Sequence, residues 1–173
     1  DVILNPSASH FAFGKEDVRR RFVLEGARAY ATAYVYANLL GNEAGRVVYD
    51  GGTLIAAPAG LVACGRRFGF SDLTLTDGVV DLDSIRLAQA RFLPDRVASE
   101  GDDCVRLDFT PPPVAAGVAQ PPVDRRDAWE QRAVTAAAAK EEEFTRAVAL
   151  GLIDSLRKSQ SRGFVVSASG GAD

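Results

Sequence analysis

The stretch FTRAVALGLIDSLRKSQSRGFVVSASGGAD, residues 144–173, joins a helix pattern to a short apolar run and a glycine-rich loop. Apolar residues that recur every fourth position predict one face of a helix over 127–158. They are Phe144, Val148, Leu152 and Leu156, and Ala149 and Ile153 widen the stripe. We predict a buried strand at 163–166 and a loop at 167–173. Helix, strand and loop in this order indicate an α/β fold.

The beginning of the chain shows the same alternation of strand and helix patterns. Residues 2–5 predict a buried strand, and 15–33 predict a helix whose apolar face repeats at spacings of three and four. That face comprises Val18, Phe22, Gly26, Ala29 and Ala33. Its small residues predict a close approach to a neighbouring element. The arginines at 19–21 lie among acidic residues, which is typical of a solvated helix surface.

Short strands follow, and they indicate a sheet packed against helices. They are predicted at 34–40, 46–49, 53–57, 61–64, 73–76 and 79–82. Asp77-Gly78, between the last two, is a hairpin signal. We predict a helix over 84–92 with Ser84 as its cap.

The composition is that of a soluble globular protein, since 47% of the 173 residues are hydrophobic and 25% are charged. The net charge of −3 argues against a nucleic-acid partner, because nucleic-acid-binding domains carry a basic excess. No apolar run approaches the ~20 residues of a membrane span. The chain contains no methionine and starts and stops inside predicted elements, so we expect an internal piece of a larger protein.

The positions of the prolines and cysteines predict a linker and two structural thiols. Six of the eight prolines lie within 94–127, which predicts an extended linker. Cys64 and Cys104 fit neither a disulfide framework nor a zinc spacing. We expect both to be reduced structural thiols of a cytosolic protein, and a single bridge between them is the alternative.

The loop at residues 167–173 has the groups expected of a phosphate-binding site. Gly170 and Gly171 carry no side chain, so a phosphate can approach their main-chain N–H groups. The hydroxyls of Ser167 and Ser169 can donate to phosphate oxygens. The loop is not a Walker A motif, which ends in Gly-Lys-Ser or Gly-Lys-Thr. An ordinary Gly-Gly turn is the alternative.

This loop resembles the Ser-Gly-Gly-Xaa-Asp-Ser motif of N-type ATP pyrophosphatases. The matching residues are Ser169, Gly170, Gly171 and Asp173. With the helix at 147–158 before it, the loop resembles the start of the synthetase domain in glutamine-dependent NAD synthetases. In that family a nitrilase-type amidase precedes the synthetase on one chain. Four upstream segments are similar to nitrilase strands and turns, namely 5–11, 34–38, 49–53 and 57–60.

The resemblance implies two domains and an activity. Residues 1–110 would be the C-terminal part of a nitrilase-like α-β-β-α sandwich, with a linker at 111–135. Residues 136–173 would start a Rossmann-like ATP pyrophosphatase domain. The parent protein would amidate deamido-NAD to NAD, with ammonia from glutamine and with ATP and Mg²⁺. It would have small-molecule substrates, form a homo-oligomer and be cytoplasmic, with no nucleic-acid or membrane partner.

The resemblance also implies site residues. Ser9 would contact the backbone of glutamine, and Lys15 would pair with its carboxylate as a point charge. The ATP-binding residues would be Ser167, Ser169, Gly170, Gly171 and Asp173. The family's Glu-Lys-Cys triad would lie upstream of Asp1, so we assign no catalytic residue and no metal ligand within the chain. His10 is interpreted as part of the loop structure.

Two alternatives belong to other functional classes. One is a stand-alone nitrilase-like amidohydrolase, which would not depend on ATP. The other is a non-catalytic α/β interaction module, which would not require the triad.

Overall fold

The computed structural model describes residues 1–92, 107–110, 121–131 and 136–170. Within these ranges the chain has a mixed α/β structure, which confirms the predicted class at that level. The helices are α1 (Lys15–Ala29), α2 (Leu82–Phe92), α3 (Ala128–Gln131) and α4 (Ala136–Ser159). The strands are β1 (Val2–Ser7), β2 (Ala33–Asn38), β3 (Leu40–Glu43), β4 (Val47–Asp50), β5 (Thr53–Ala57), β6 (Gly60–Cys64) and β7 (Val123–Asp124).

Five strands form one mixed sheet in the order β1-β2-β5-β6-β7, and β3 and β4 form a separate hairpin. β1 and β2 are parallel, because α1 carries the chain back along the sheet between them. Their pairing runs from Val2 opposite Ala33 to Ser7 opposite Asn38. The carboxyl ends of β1 and β2 therefore meet at one end of the sheet, and the loop after β1 starts there.

The buried face of α1 lies one position away from the predicted face. Val18 and Phe22 are more than half exposed, whereas Val23 and Ala27 are fully buried. Both sets repeat every four residues, so the periodicity does not distinguish them. Arg19 belongs to the buried set, which corrects the prediction that it faces solvent.

The predicted close approach of α1 to a neighbour is found at Gly26. A Cβ at this position would lie 2.9 Å from Cε2 of Tyr34 on β2. The helix therefore packs closely on the sheet over a core of apolar residues. That core comprises Val23, Ala27, Tyr34, Tyr36, Leu54, Ala56 and Cys64.

α4 lies against β3 and β4, rotated away from its predicted apolar face. Phe144, Val148 and Leu152 are exposed by 57%, 43% and 46%. The buried residues of the helix are instead Glu143, Ala147 and Leu150. Polar contacts are made on this side of the helix, since the main-chain N–H of Asn42 on β3 donates to Asp154 Oδ2 at 2.7 Å.

The predicted hairpin over 73–82 is wrong, because neither 73–76 nor 79–82 is in a strand. Thr76 instead reaches the sheet through its side chain, with its Oγ1 2.6 Å from Thr53 Oγ1. A side-chain contact of this kind holds the segment near β5 without a strand ladder.

α2 begins two residues earlier than predicted, and its cap is Asp81 rather than Ser84. Asp81 Oδ1 accepts the main-chain N–H groups of Asp83 and Ser84 at 3.0 and 3.1 Å. Ser84 Oγ donates to Asp81 Oδ2 at 2.6 Å. The carboxylate therefore satisfies the free N–H groups of the first turn.

The strands predicted near the two ends of the chain are not buried. β1 forms, but it lies at the edge of the sheet, and Leu4 is 73% exposed. Residues 163–166 are in no strand and pair with no described residue, and Val165 is fully exposed. A short apolar run becomes a strand only beside a partner strand. Within the predicted linker, by contrast, Val123–Asp124 forms β7 and extends the sheet parallel to β6.

Candidate functional site

The loop after β1 is tied to β2 by reciprocal hydrogen bonds. Ser9 donates its main-chain N–H to Asn38 Oδ1 at 2.8 Å, and Asn38 Nδ2 donates to the Ser9 carbonyl oxygen at 2.9 Å. The parallel pairing makes this possible, because it places Asn38 opposite Ser7. Ser9, a predicted glutamine-binding residue, therefore has a fixed main chain.

Arg19 on α1 holds the same loop from the other side. Its Nη2 donates to the carbonyl oxygens of Ser9 and His10, at 2.7 and 3.1 Å. Both Nε and Nη2 lie 3.3 Å from Ser9 Oγ. Its Nη1 donates to Asp50 Oδ2 at 2.5 Å, and the two side chains are 5% and 1% exposed. The guanidinium is thus a buried clamp on the loop.

Asp50, the last residue of β4, joins the two side chains that hold Ser9. Its Oδ2 accepts from Arg19, and its Oδ1 accepts from Asn38 Nδ2 at 2.7 Å. The main-chain N–H of Gly52 also lies 3.2 Å from Oδ1. A carboxylate with this many donors is well compensated for its burial.

Lys15, the other predicted glutamine-binding residue, is the first residue of α1 and lies one helical turn before Arg19. Its Nζ is 3.5 Å from His10 Nδ1. Among the described residues no carboxylate pairs with this ammonium. The structure therefore places the Lys15 ammonium beside His10, in the loop that also contains Ser9, and leaves the ammonium able to meet an anion. Their roles toward glutamine stay predictions.

A second buried arginine, Arg67, joins this region to α3 and α4. Its Nε lies 2.8 Å from Glu130 Oε2, and its Nη1 lies 2.5 Å from Glu143 Oε1 and 4.0 Å from Asp50 Oδ2. Burial alone would lower the pKa of Arg67, but Glu130 and Glu143 raise it above its ordinary value. The guanidinium also lies 5.4 Å from the centre of the Trp129 ring.

Glu16 is the least well hydrogen-bonded of the carboxylates around Arg19 and Arg67. Its Oε2 is 3.8 Å from Arg19 Nη1 but accepts no hydrogen bond from the described part of the chain. Burial raises the pKa of Glu16, and the nearby charge of Arg67 opposes the rise without cancelling it. A cavity of about 320 Å³ lies beside it and is also lined by Trp129 and Glu143.

The predicted ATP-binding residues Ser167, Ser169 and Gly170 lie in an exposed segment that is neither helix nor strand. Gly170 has a φ of 79°, which glycine adopts without strain. Gly171 and Asp173 lie outside the described residues. The hydroxyl and main-chain donors of this segment suit a phosphate group, and their role stays a prediction.

Cys64 has the properties of a structural thiol. It is free and only 1% exposed. Burial, followed by the charge of Glu16, raises the pKa of its thiol to about 11, so the nucleophilic thiolate is scarce at neutral pH. Cys104 lies outside the described residues.

In the described ranges, no group of three or more His, Cys, Asp or Glu side chains is arranged to hold a metal ion. The same ranges contain no helix with both the length and the apolar character needed to cross a membrane.

Arg19, Asn38 and Asp50 were not identified as site residues from the sequence. A signal existed for Arg19, because it precedes Val23 and Ala27 at intervals of four and shares their face of α1. Asn38 lay inside the strand predicted at 34–40 and Asp50 directly after the one predicted at 46–49, with nothing in the local pattern to show that they would meet.

Fold and loop together define a class of protein. It is a mixed α/β protein in which a loop at the carboxyl ends of two parallel strands is held by hydrogen bonds to the first turns of a helix. The loop carries a hydroxyl, and the helix carries an ammonium beside it. The particular proteins that the chain resembles are glutamine-dependent NAD synthetases, which confirms the resemblance expected from its motifs.

Both sequence and structure carry this similarity. The chain is 30% identical over 177 residues to the glutamine-dependent NAD(+) synthetase of Oryza sativa subsp. indica, which covers all of this chain and 23% of the relative. It is 28% identical to the Homo sapiens protein of that name, over all of this chain and 24% of the relative. The chain thus spans about a quarter of the length of these relatives.

A crystal structure of a glutamine-dependent NAD(+) synthetase from Cytophaga hutchinsonii superposes with a TM-score of 0.60 and 34% sequence identity. The match covers 99% of this chain and 20% of that one. No family model matches the chain.

Proposed function

We propose that this chain is part of a glutamine-dependent NAD synthetase. The proposed reaction is the ATP-dependent amidation of deamido-NAD to NAD, with ammonia released from glutamine. One observation carries the proposal, namely that the similarity to proteins of that name extends over the whole chain in sequence and over 99% of it in structure. The local motifs on which the resemblance first rested lie in both halves of the chain.

In this proposal the chain includes parts of two domains. Residues 1–110 are the C-terminal part of a nitrilase-like glutaminase, 111–135 are the linker, and 136–173 begin the Rossmann-like synthetase domain. The mixed sheet covered by α1 is compatible with the first part. The long helix α4, followed by the donor-rich segment at 167–170, is compatible with the second.

The glutaminase half would bind glutamine through the loop after β1. Lys15 neutralises the α-carboxylate, and Ser9 contacts the backbone of the amino acid. The hydrogen bonds from Asn38 and Arg19 support this assignment, because a loop that is already ordered loses less entropy when a ligand binds. The Glu-Lys-Cys triad that attacks the amide belongs to another segment of the longer protein.

The synthetase half would hold the pyrophosphate of ATP. Its groups are the hydroxyls and main-chain N–H groups of Ser167, Ser169, Gly170 and Gly171, together with Asp173. Mg²⁺ would offset the charge of the phosphates. We further propose that the full-length protein is a cytoplasmic homo-oligomer that acts on small molecules.

Lys15→Ala in the full-length protein tests the glutamine site. We expect the KM for glutamine to rise about ten- to a hundredfold, because one charge-assisted contact contributes about 1.5–3 kcal/mol. NAD formation from ammonium should stay nearly unchanged, since ammonium does not use this site. Lys140→Ala, at an exposed position on α4, is the matched control. An equal loss with both nitrogen donors would show that Lys15 does not bind glutamine.

Gly170→Val should give the opposite pattern. Valine disfavours a φ of 79° and adds a side chain where the phosphate would approach, so NAD formation should fall about tenfold or more with either donor. Glutamine hydrolysis should persist in part. Gly163→Val is the control, because that glycine has open space around it and no positive φ. NAD formation that is unchanged in Gly170→Val would remove the pyrophosphate role.

A further inference from the structure

We infer that Arg19 is a positioning residue for glutamine, one that sets the orientation of Ser9 without touching the substrate. This inference rests on the proposed function, since it assumes that the loop after β1 binds glutamine. It concerns a residue whose sequence context suggested only a solvated surface.

The geometry of the guanidinium carries the inference. All three of its nitrogens make hydrogen bonds, and their acceptors include the Ser9 hydroxyl, the Ser9 and His10 carbonyl oxygens and the Asp50 carboxylate. Two consecutive carbonyl groups and one hydroxyl of the loop thus converge on a single side chain. A planar guanidinium can span these acceptors at fixed angles, whereas an ammonium cannot.

The position of Arg19 in α1 adds a second argument. Lys15 and Arg19 are four residues apart, so they lie on one face of the helix. Arg19 therefore fixes Ser9 relative to the face of α1 that carries the proposed carboxylate-binding ammonium one turn earlier. A buried arginine–aspartate pair is weak evidence for stability alone, because apolar replacements are often as stable. Specific orientation of the loop explains why the pair is there.

Arg19→Lys in the full-length protein tests the inference. Lysine keeps the charge beside Asp50 but cannot reach all the acceptors of the loop. We expect the KM for glutamine to rise about tenfold, equivalent to about 1.4 kcal/mol, while the kcat and KM for ammonium-dependent NAD formation stay within about twofold of the wild type.

Arg67→Lys is the matched control. Arg67 is also buried among carboxylates, yet its hydrogen bonds go to Glu130 and Glu143 rather than to the loop. Both lysine variants should lower the melting temperature, but only Arg19→Lys should raise the KM for glutamine. Equal increases in that KM would overturn the inference, because they would reflect general destabilisation.

Asp50→Asn is the second variant, for the case that Arg19→Lys does not fold. It keeps the shape of the side chain and weakens the bond that orients Arg19, so a smaller rise in the same KM is expected. An unchanged KM for glutamine in folded Asp50→Asn, or in Arg19→Lys, would overturn this inference and leave the proposed function standing. A wild-type protein that forms no NAD from either donor would overturn the proposed function and this inference with it.

Discussion

Glu16 shows how burial changes the acidity of a single residue even when two arginines lie nearby. Its carboxylate is mostly buried, and burial raises its pKa above the ordinary value. The unfolded chain releases this proton at the ordinary pKa and the folded chain at a higher pKa. The folded state therefore loses stability as the pH rises through the interval between the two values. At neutral pH the charged form is the one that the fold disfavours.

Glu16→Gln should relieve this penalty. At pH 7 we expect the free energy of local opening of α1 to be about 1 kcal/mol higher in the variant than in the wild type. This is the cost of leaving one buried group unsatisfied. The difference should shrink toward pH 4, where the wild-type carboxyl is also neutral. Hydrogen exchange of α1 amides in the full-length protein measures both values. Glu25→Gln, at an exposed site, is the control, and a difference that does not vary with pH would contradict the explanation.

At the scale of elements, Asn42 fastens α4 to β3. Its main-chain N–H donates to Asp154 Oδ2 at 2.7 Å. Its Nδ2 donates to the Gly151 carbonyl oxygen and to Ser155 Oγ, at 2.9 and 2.6 Å. Burial raises the pKa of Asp154, but the bonds from Asn42 and Lys158 outweigh burial and lower it overall. The stabilisation that comes from the charged Asp154 carboxylate is therefore present at neutral pH. It is lost as the pH falls through the lowered pKa.

Gly41→Ala should weaken the contact between β3 and α4. Gly41 has a φ of 119°, and a Cβ there would lie 2.7 Å from Asp154 Oδ2. We expect the free energy of opening of α4 to fall by about 2 kcal/mol. Gly45→Ala shares the positive φ but has open space, so it should show only backbone strain of about 1 kcal/mol. Hydrogen exchange of α4 amides measures both variants, and equal losses would argue against a clash with Asp154.

At the scale of the whole molecule, local patterns predicted the elements better than they predicted their faces. The existence of α1, β5 and α4 could be predicted, because periodicity and turn residues are local properties. The orientations of α1 and α4 could not, since in each helix two stripes have the same spacing. The stripe that is buried makes contacts across long sequence separations, such as Arg19 with Asp50 and Asn42 with Asp154, and local periodicity carries no information on these.

Local sequence patterns also do not predict how the residues of the candidate site are held in place. Ser9 and Lys15 were predicted from the resemblance. The structure places Ser9 in the loop after β1 and Lys15 at the start of α1, where its ammonium lies 3.5 Å from His10 Nδ1 of that loop. The clamp formed by Arg19, Asn38 and Asp50 depends on the parallel pairing of β1 and β2, which local patterns do not reveal. The loop at 167–173 shows the converse case, because its motif is recognisable in the sequence while its described residues form no helix or strand.

We propose that this chain belongs to a protein that transfers the amide nitrogen of glutamine to deamido-NAD. The most direct measurement supplies the full-length protein with amide-¹⁵N glutamine, deamido-NAD, ATP and Mg²⁺, and follows the carboxamide of NAD by mass spectrometry. We predict labelled NAD that requires ATP, with glutamate formed alongside it. Glutamate without labelled NAD would indicate a stand-alone amidohydrolase and contradict the claim, and so would the absence of both products.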